Sequence, residues 1–107
     1  MFTRTVEVTT KSGKARELAN ALNDKVMPIL KKRAGFVDET VLVSDAEPIR
    51  IWALSFWNSK EDAERYLREQ YSVIHEMVRH LLEAEPVIQT FNVDSSTTHG
   101  ISAGKAA

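Results

Sequence analysis

Along residues 2–10 (FTRTVEVTT), Val6 and Val8 alternate with Thr5, Glu7 and Thr9. A two-residue period of β-branched side chains predicts a strand with one face buried. Lys11-Ser12-Gly13 interrupts it, with Ser12 as the expected N-cap of the next element. From Lys14 to Arg33 the period lengthens. Ala15, Leu18, Leu22, Val26 and Ile29 recur every three or four positions, which predicts an amphipathic helix of about five turns. Pro28 lacks a backbone donor, so a kink or restart is expected near Met27, and Gly35 ends the segment. Residues 36–44 (FVDETVLVS) and 49–57 (IRIWALSFW) read as two strands joined through Asp45-Ala46-Glu47-Pro48, an antiparallel hairpin. The third strand is apolar at nearly every position, so both of its faces are expected to be covered. One layer of helices covers one face, and a second copy of the chain is the expected cover of the other.

Ser59-Lys60-Glu61-Asp62 has the form of a capping box opening a second helix. Ala63, Tyr66 and Leu67, then Tyr71, Ile74, Val78, Leu81 and Leu82, form its apolar stripe, with an irregular turn expected near Glu69-Gln70. Glu85-Pro86 stops it, and residues 87–93 (VIQTFNV) predict a fourth strand. Residues 1–94 are thus expected to form the domain. Residues 95–107, rich in Ser, Thr, Gly and Ala without pattern, are expected to be a disordered tail in which His99 carries little functional weight.

Composition narrows the chemistry more than the fold. A length of 107 residues points to one domain. Fourteen Lys and Arg against fifteen Asp and Glu leave a net charge of −1, which supplies no field to attract nucleic acid or an anionic membrane. The absence of cysteine excludes disulfides, thiolate metal sites and cysteine nucleophiles. No apolar run approaches the roughly 20 residues of a membrane span, and a cytoplasmic location is expected. Phosphate-binding loops, dinucleotide-binding glycine turns, nucleophile elbows and HExxH pairs are all missing. His75 and His80 are five positions apart, about 140° around a helix, which is wrong for joint metal binding.

The order β-α-β-β-α-β predicts an α+β, ferredoxin-like fold: a four-stranded antiparallel sheet with both helices on one face. With Gly35-Phe36 opening the second strand and Phe56-Trp57-Asn58-Ser59-Lys60-Glu61-Asp62-Ala63 at the next strand-to-helix junction, the chain resembles the antibiotic biosynthesis monooxygenase-like domains of the dimeric α+β barrel superfamily over residues 2–93. The resemblance implies a homodimer with sheets face to face. It also implies one of three activities: cofactor-free oxygenation of a small aromatic or quinol compound, haem binding or degradation through a helix-two histidine, or binding without catalysis. The haem-degrading pattern is incomplete, because strand one carries no Asn and Tyr66 precedes His75 where that family usually has Trp.

The candidate catalytic residues are His75, Tyr66, Tyr71 and Arg4, and the candidate substrate-binding residues are Trp57, Trp52 and Asn92. His75 lies on the apolar stripe, where an imidazole would serve as base or iron ligand, or would simply pack as a core histidine. Tyr66 and Tyr71 combine an apolar body with a polar tip suited to a phenolic substrate. Arg4 shares parity with Val6 and Val8. Beneath the helices it would stabilise a phenolate, and at the sheet end it would be solvated. Trp57 seals the helix junction or walls a pocket, whereas Trp52 belongs to a packed core. Glu7 and Glu39 are expected as cross-strand partners of Arg50. The leading expectation uses no metal and no cofactor, with haem as the alternative.

Overall fold

The computed structural model describes residues 1–102. Its elements are β1 (Phe2–Thr9), α1 (Ala15–Ala21), a π-helical turn (Leu22–Val26), α2 (Met27–Lys31), β2 (Phe36–Val43), β3 (Arg50–Trp57), α3 (Lys60–Val78), a 3₁₀ turn (Arg79–Leu81) and β4 (Val87–Asn92). The strands form one antiparallel sheet in the order β2-β3-β1-β4, the ferredoxin-like arrangement expected.

The first helical segment breaks where proline requires it. In a regular α-helix the Pro28 ring would meet the carbonyl of residue 24. The chain instead widens into the π turn and restarts at Met27 with proline in the first turn of α2. Ser12 does not cap α1: Lys14 takes that position without a side-chain hydrogen bond. The second helical segment follows its capping box, with Ser59 Oγ accepting from the Asp62 backbone N–H at 3.2 Å. It then runs unbroken through Glu69-Gln70, where an irregular turn was expected, and ends at Val78, well before Pro86.

Gly35 fixes the approach of β2 to this junction. Its φ is +81°, and a Cβ there would fall 2.6 Å or less from three side-chain atoms of Asp62. Its carbonyl accepts from the Asn58 backbone N–H at 2.8 Å.

Register sorts the strands into two faces. Toward the helices point Phe2, Arg4, Val6 and Val8 of β1, paired with Trp57, Ser55, Ala53 and Ile51 of β3. A bulge between Phe36 and Asp38 brings both Phe36 and Glu39 of β2 to the same side. Leu18, Leu22, Val26, Leu30, Ala63, Tyr66, Ile74 and Val78 close over this face and form the core with Ile51 and Trp57, both fully buried. The opposite face carries Trp52, Leu54 and Phe56 of β3, flanked by Leu42 and Phe91, each about half exposed. Among the described residues no helix covers it, so within these residues the apolar run of β3 is covered by helices on one side.

Part of the expected tail is ordered. Ser96 and Ile101 pair as a bridge, and the turn between them lays His99 on Phe56 at 4.7 Å between ring centres. The His99 ring nitrogens lie 2.9 Å from Asp38 Oδ2 and 2.9 Å from Ser96 Oγ. These contacts need a His in this place, which a reading from composition could not supply. Residues 103–107 of the expected tail lie outside the described residues.

Candidate functional site

The helix-facing side of the sheet consists of rungs, each a row of residues paired across neighbouring strands. Three are apolar or nearly so: Phe2–Trp57–Phe36, Val6–Ala53–Val41 and Val8–Ile51–Val43. Between the first two runs Arg4–Ser55–Glu39, a polar rung reaching Thr90 on β4. Its middle member is anchored, because Trp57 Nε1 donates to Ser55 Oγ at 2.9 Å. Its outer members are not. Arg4 is 5% exposed, with Nε and Nη2 buried and unpartnered, and Glu39 Oε2 is likewise buried without a partner.

Such groups are costly to leave unpaired. Burial pushes the Glu39 carboxyl up from 4.5 to about 7, while the positive charge of Arg4 pulls it partly back. Burial likewise pushes the Tyr66 phenol up to about 12, again opposed by Arg4. Tyr66 therefore stays protonated at neutral pH and is a hydrogen-bond donor. The Arg4 guanidinium covers the Tyr71 ring at 4.7 Å and approaches Tyr66 at 5.8 Å, a cation–π arrangement.

Beside the polar rung, between the sheet and the helices, is a small cavity of about 70 Å³. Its walls are mostly aliphatic, from Val6, Leu22, Val26 and Ile74 among others, and its polar groups are Glu39, Tyr66, Tyr71 and His75. The π turn contributes Leu22 and Val26 to the wall facing the sheet. His75 stacks on Tyr71 at 6.0 Å, and its Nε2 lies 3.8 Å from Oε2 of the exposed Glu85.

The structure thus brings together three of the expected catalytic residues, His75, Tyr66 and Tyr71, with Arg4 directly behind Tyr71. It does not bring the expected substrate-binding residues to this cavity. Trp57 is fully buried between Phe36 and Tyr66, at 5.5 and 5.1 Å. Trp52 lies on the opposite face under Arg50, since odd and even positions of β3 diverge. Asn92 is exposed at the end of β4. Glu39 was expected to pair with Arg50, but Arg50 pairs with Glu7 and Glu47 on the open side. The signal for Glu39 was present: it shares parity with Val41, which packs against the core.

Among the described residues, no group of three or more His, Asp or Glu is placed to hold a metal ion, and no helix is long and apolar enough to cross a membrane.

A comparison with curated proteins finds no match. Among solved structures the fold is widely shared. A monooxygenase from the gene ActVA-Orf6 of Streptomyces coelicolor, in complex with nanaomycin D, aligns with a TM-score of 0.78 at 15% identity, covering 89% of this chain and 88% of that one. A mutant of SnoaB, a cofactor-independent oxygenase from Streptomyces nogalater, aligns at 0.77 and 16%, covering 90% and 95%. A conserved protein from Methanosarcina mazei aligns at 0.73 and 20%, covering 86% and 92%. At these identities the likeness is one of fold. The family model for antibiotic biosynthesis monooxygenase matches residues 1–76, a span that holds the polar rung of β1, β2 and β3 and the cavity side of α3, and the chain belongs to that family.

Proposed function

We propose that the protein is a cofactor-independent monooxygenase acting on a small aromatic compound of the anthrone or quinol type. The observation that carries this reading is an apolar cavity onto which two phenols, an imidazole and a carboxyl converge, with a buried cation behind them. The family match and the cofactor-independent chemistry named for SnoaB support it.

In the proposed reaction the substrate first loses a proton from an activated carbon or phenol. Arg4 stabilises the resulting anion through the Tyr71 ring that it covers. Tyr66, protonated to about pH 12, donates a hydrogen bond to the substrate oxygen. The carbanion gives its electrons to O2, and a C–O bond forms to a peroxide, which takes up a proton. Loss of water then cleaves the O–O bond and leaves a carbonyl. A methylene and O2 thus become a carbonyl and H2O, with no external reductant. Aliphatic walls keep bulk water from the anion. His75, between the cavity and the Glu85 carboxylate, passes protons to solvent.

The active form is a homodimer in which the open sheet faces of two copies meet. Trp52, Leu54 and Phe56 with Leu42 and Phe91 support this, since an apolar patch of that kind on a sheet marks an interface. Light scattering at micromolar concentration should give twice the chain mass.

Oxygen uptake across a panel of anthrones and quinols tests the activity, and background rates throughout would remove it. A hemin titration with His75→Ala alongside tests the haem alternative. The proposed reading expects no saturable spectral shift that the variant loses.

A further inference from the structure

We infer that Glu39 is the catalytic base of this site, the residue that takes the substrate proton. The inference rests on the oxygenase reading above and adds a group that none of the sequence expectations placed in the site.

The geometry carries it. Glu39 is the one carboxylate among the residues lining the cavity, and it enters through the floor, from the sheet, opposite the helices. Its Oε2 is buried without a hydrogen-bond partner, and among the described residues Arg4 makes no ion pair with it. Its position follows from two independent features. The bulge at Phe36/Asp38 turns it inward, and the Ser55 position opposite, whose small side chain is held by Trp57, leaves the rung open above.

The groups facing Glu39 explain its suitability. From β1 comes the Arg4 cation, one strand beyond Ser55, close enough to act through space and too far to form a direct pair. From α3 come Tyr66, Tyr71 and His75. From α1 and the π turn come only Leu18, Leu22 and Val26, which exclude water without adding charge. A carboxylate so placed is more basic than one in water, while the nearby guanidinium keeps its ionised form accessible near neutral pH. Among the other groups on the cavity, Tyr66 stays protonated at neutral pH, and His75 Nε2 faces Glu85. The substrate class follows as a carbon acid or phenol whose own acidity lies within a few units of Glu39. Such a proton moves from C–H or O–H to the carboxylate, leaving neutral Glu39 and a substrate anion within the field of Arg4, which lies behind Tyr71.

The test separates proton removal from oxidation. With 1,8-dihydroxy-9-anthrone as probe in anaerobic D2O, exchange at the methylene carbon is followed by proton NMR, and O2 uptake with the same compound is followed in air. The wild-type protein should accelerate both. Glu39→Gln, which keeps shape and size, should slow both by about 100-fold with KM changed less than threefold, and Glu39→Asp should restore part of the rate. The wild-type rate should rise with pH through about 7, and the Gln variant should lack that limb. If Gln retains exchange and uptake within threefold of wild type, Glu39 is not the base and the oxygenase reading stands without it. Should the wild type catalyse exchange that Gln loses, but no uptake, Glu39 is the base of a different reaction and the oxygenase reading falls. Neither exchange nor uptake by the wild type would overturn both. Circular dichroism of each variant separates loss of fold from loss of the carboxylate.

Discussion

The two faces of the sheet each carry an arginine and a glutamate, and they treat them differently. On the open face Arg50 pairs directly with Glu7 on the neighbouring strand and lies over Trp52 at 5.3 Å. Beneath the helices Arg4 and Glu39 stand two strands apart with Ser55 between them and do not pair, although on both faces some buried polar atoms, Arg50 Nε among them, lack partners. Direct pairing in water neutralises charge at little gain or cost. Separation in a dry layer keeps both charges available to a third group, and the fold bears the desolvation. A sheet that held all its charges in contact would be no less stable and would offer an incoming substrate nothing.

This contrast can be broken at several points. The largest effect belongs to the core beneath the helices. Trp57→Ala should cost about 3–5 kcal/mol in urea unfolding, because it empties a fully buried indole site and frees Ser55. Trp52→Ala on the open face should cost the single chain far less and should instead weaken self-association, seen as a lower mass in light scattering at the same concentration.

Next comes Glu39. An acid raised from 4.5 to about 7 in the folded state holds a proton that the unfolded chain has lost between those values. Stability therefore falls as pH rises across that window, the reverse of an ion-paired carboxylate. Glu39→Gln should unfold up to about 3 kcal/mol later than wild type at about pH 8, and with no difference at about pH 4, in urea titrations at the two pH values. Loss of activity with gain of stability would mark the residue as functional.

The smallest effect is expected for Glu7→Gln, within about 1 kcal/mol by the same titration, because the Arg50 partner remains partly solvated. A cost of several kcal/mol there would show that the open face is not solvated in the working protein and would itself argue for a buried interface.

Much of this was legible in the sequence. The order of elements, the break at Pro28, the Ser59 cap and the stripe bearing Tyr71, Ile74 and His75 all follow from period and local chemistry, which act within a turn or two of chain. Arg4 was correctly paired in parity with Val6 and Val8, but the sequence favoured solvent at the strand end, and only the depth of Tyr66 and Tyr71 over it shows that it is buried. Glu39 was missed because the bulge changes parity within β2 and because Arg50 offered a plausible partner on the other face. Trp52 and Trp57 both stood among the candidate substrate-binding residues, although an odd separation along a strand sends them to opposite sides. The ordered turn around His99 depends on Asp38 and Phe56, contacts too distant in sequence for any local pattern to reveal.

That turn also has a consequence for self-association. Tethered to the chain whose face it covers, the 96–101 segment occupies the Phe56 end of the open sheet at a local concentration that a free partner cannot match. A second copy that requires the Phe56 ring must displace it, whereas one that meets Trp52, Leu54 and Leu42 need not. In such a pairing residues 96–101 would act as a selector of alignment: they would handicap one way of stacking two sheets and leave another free.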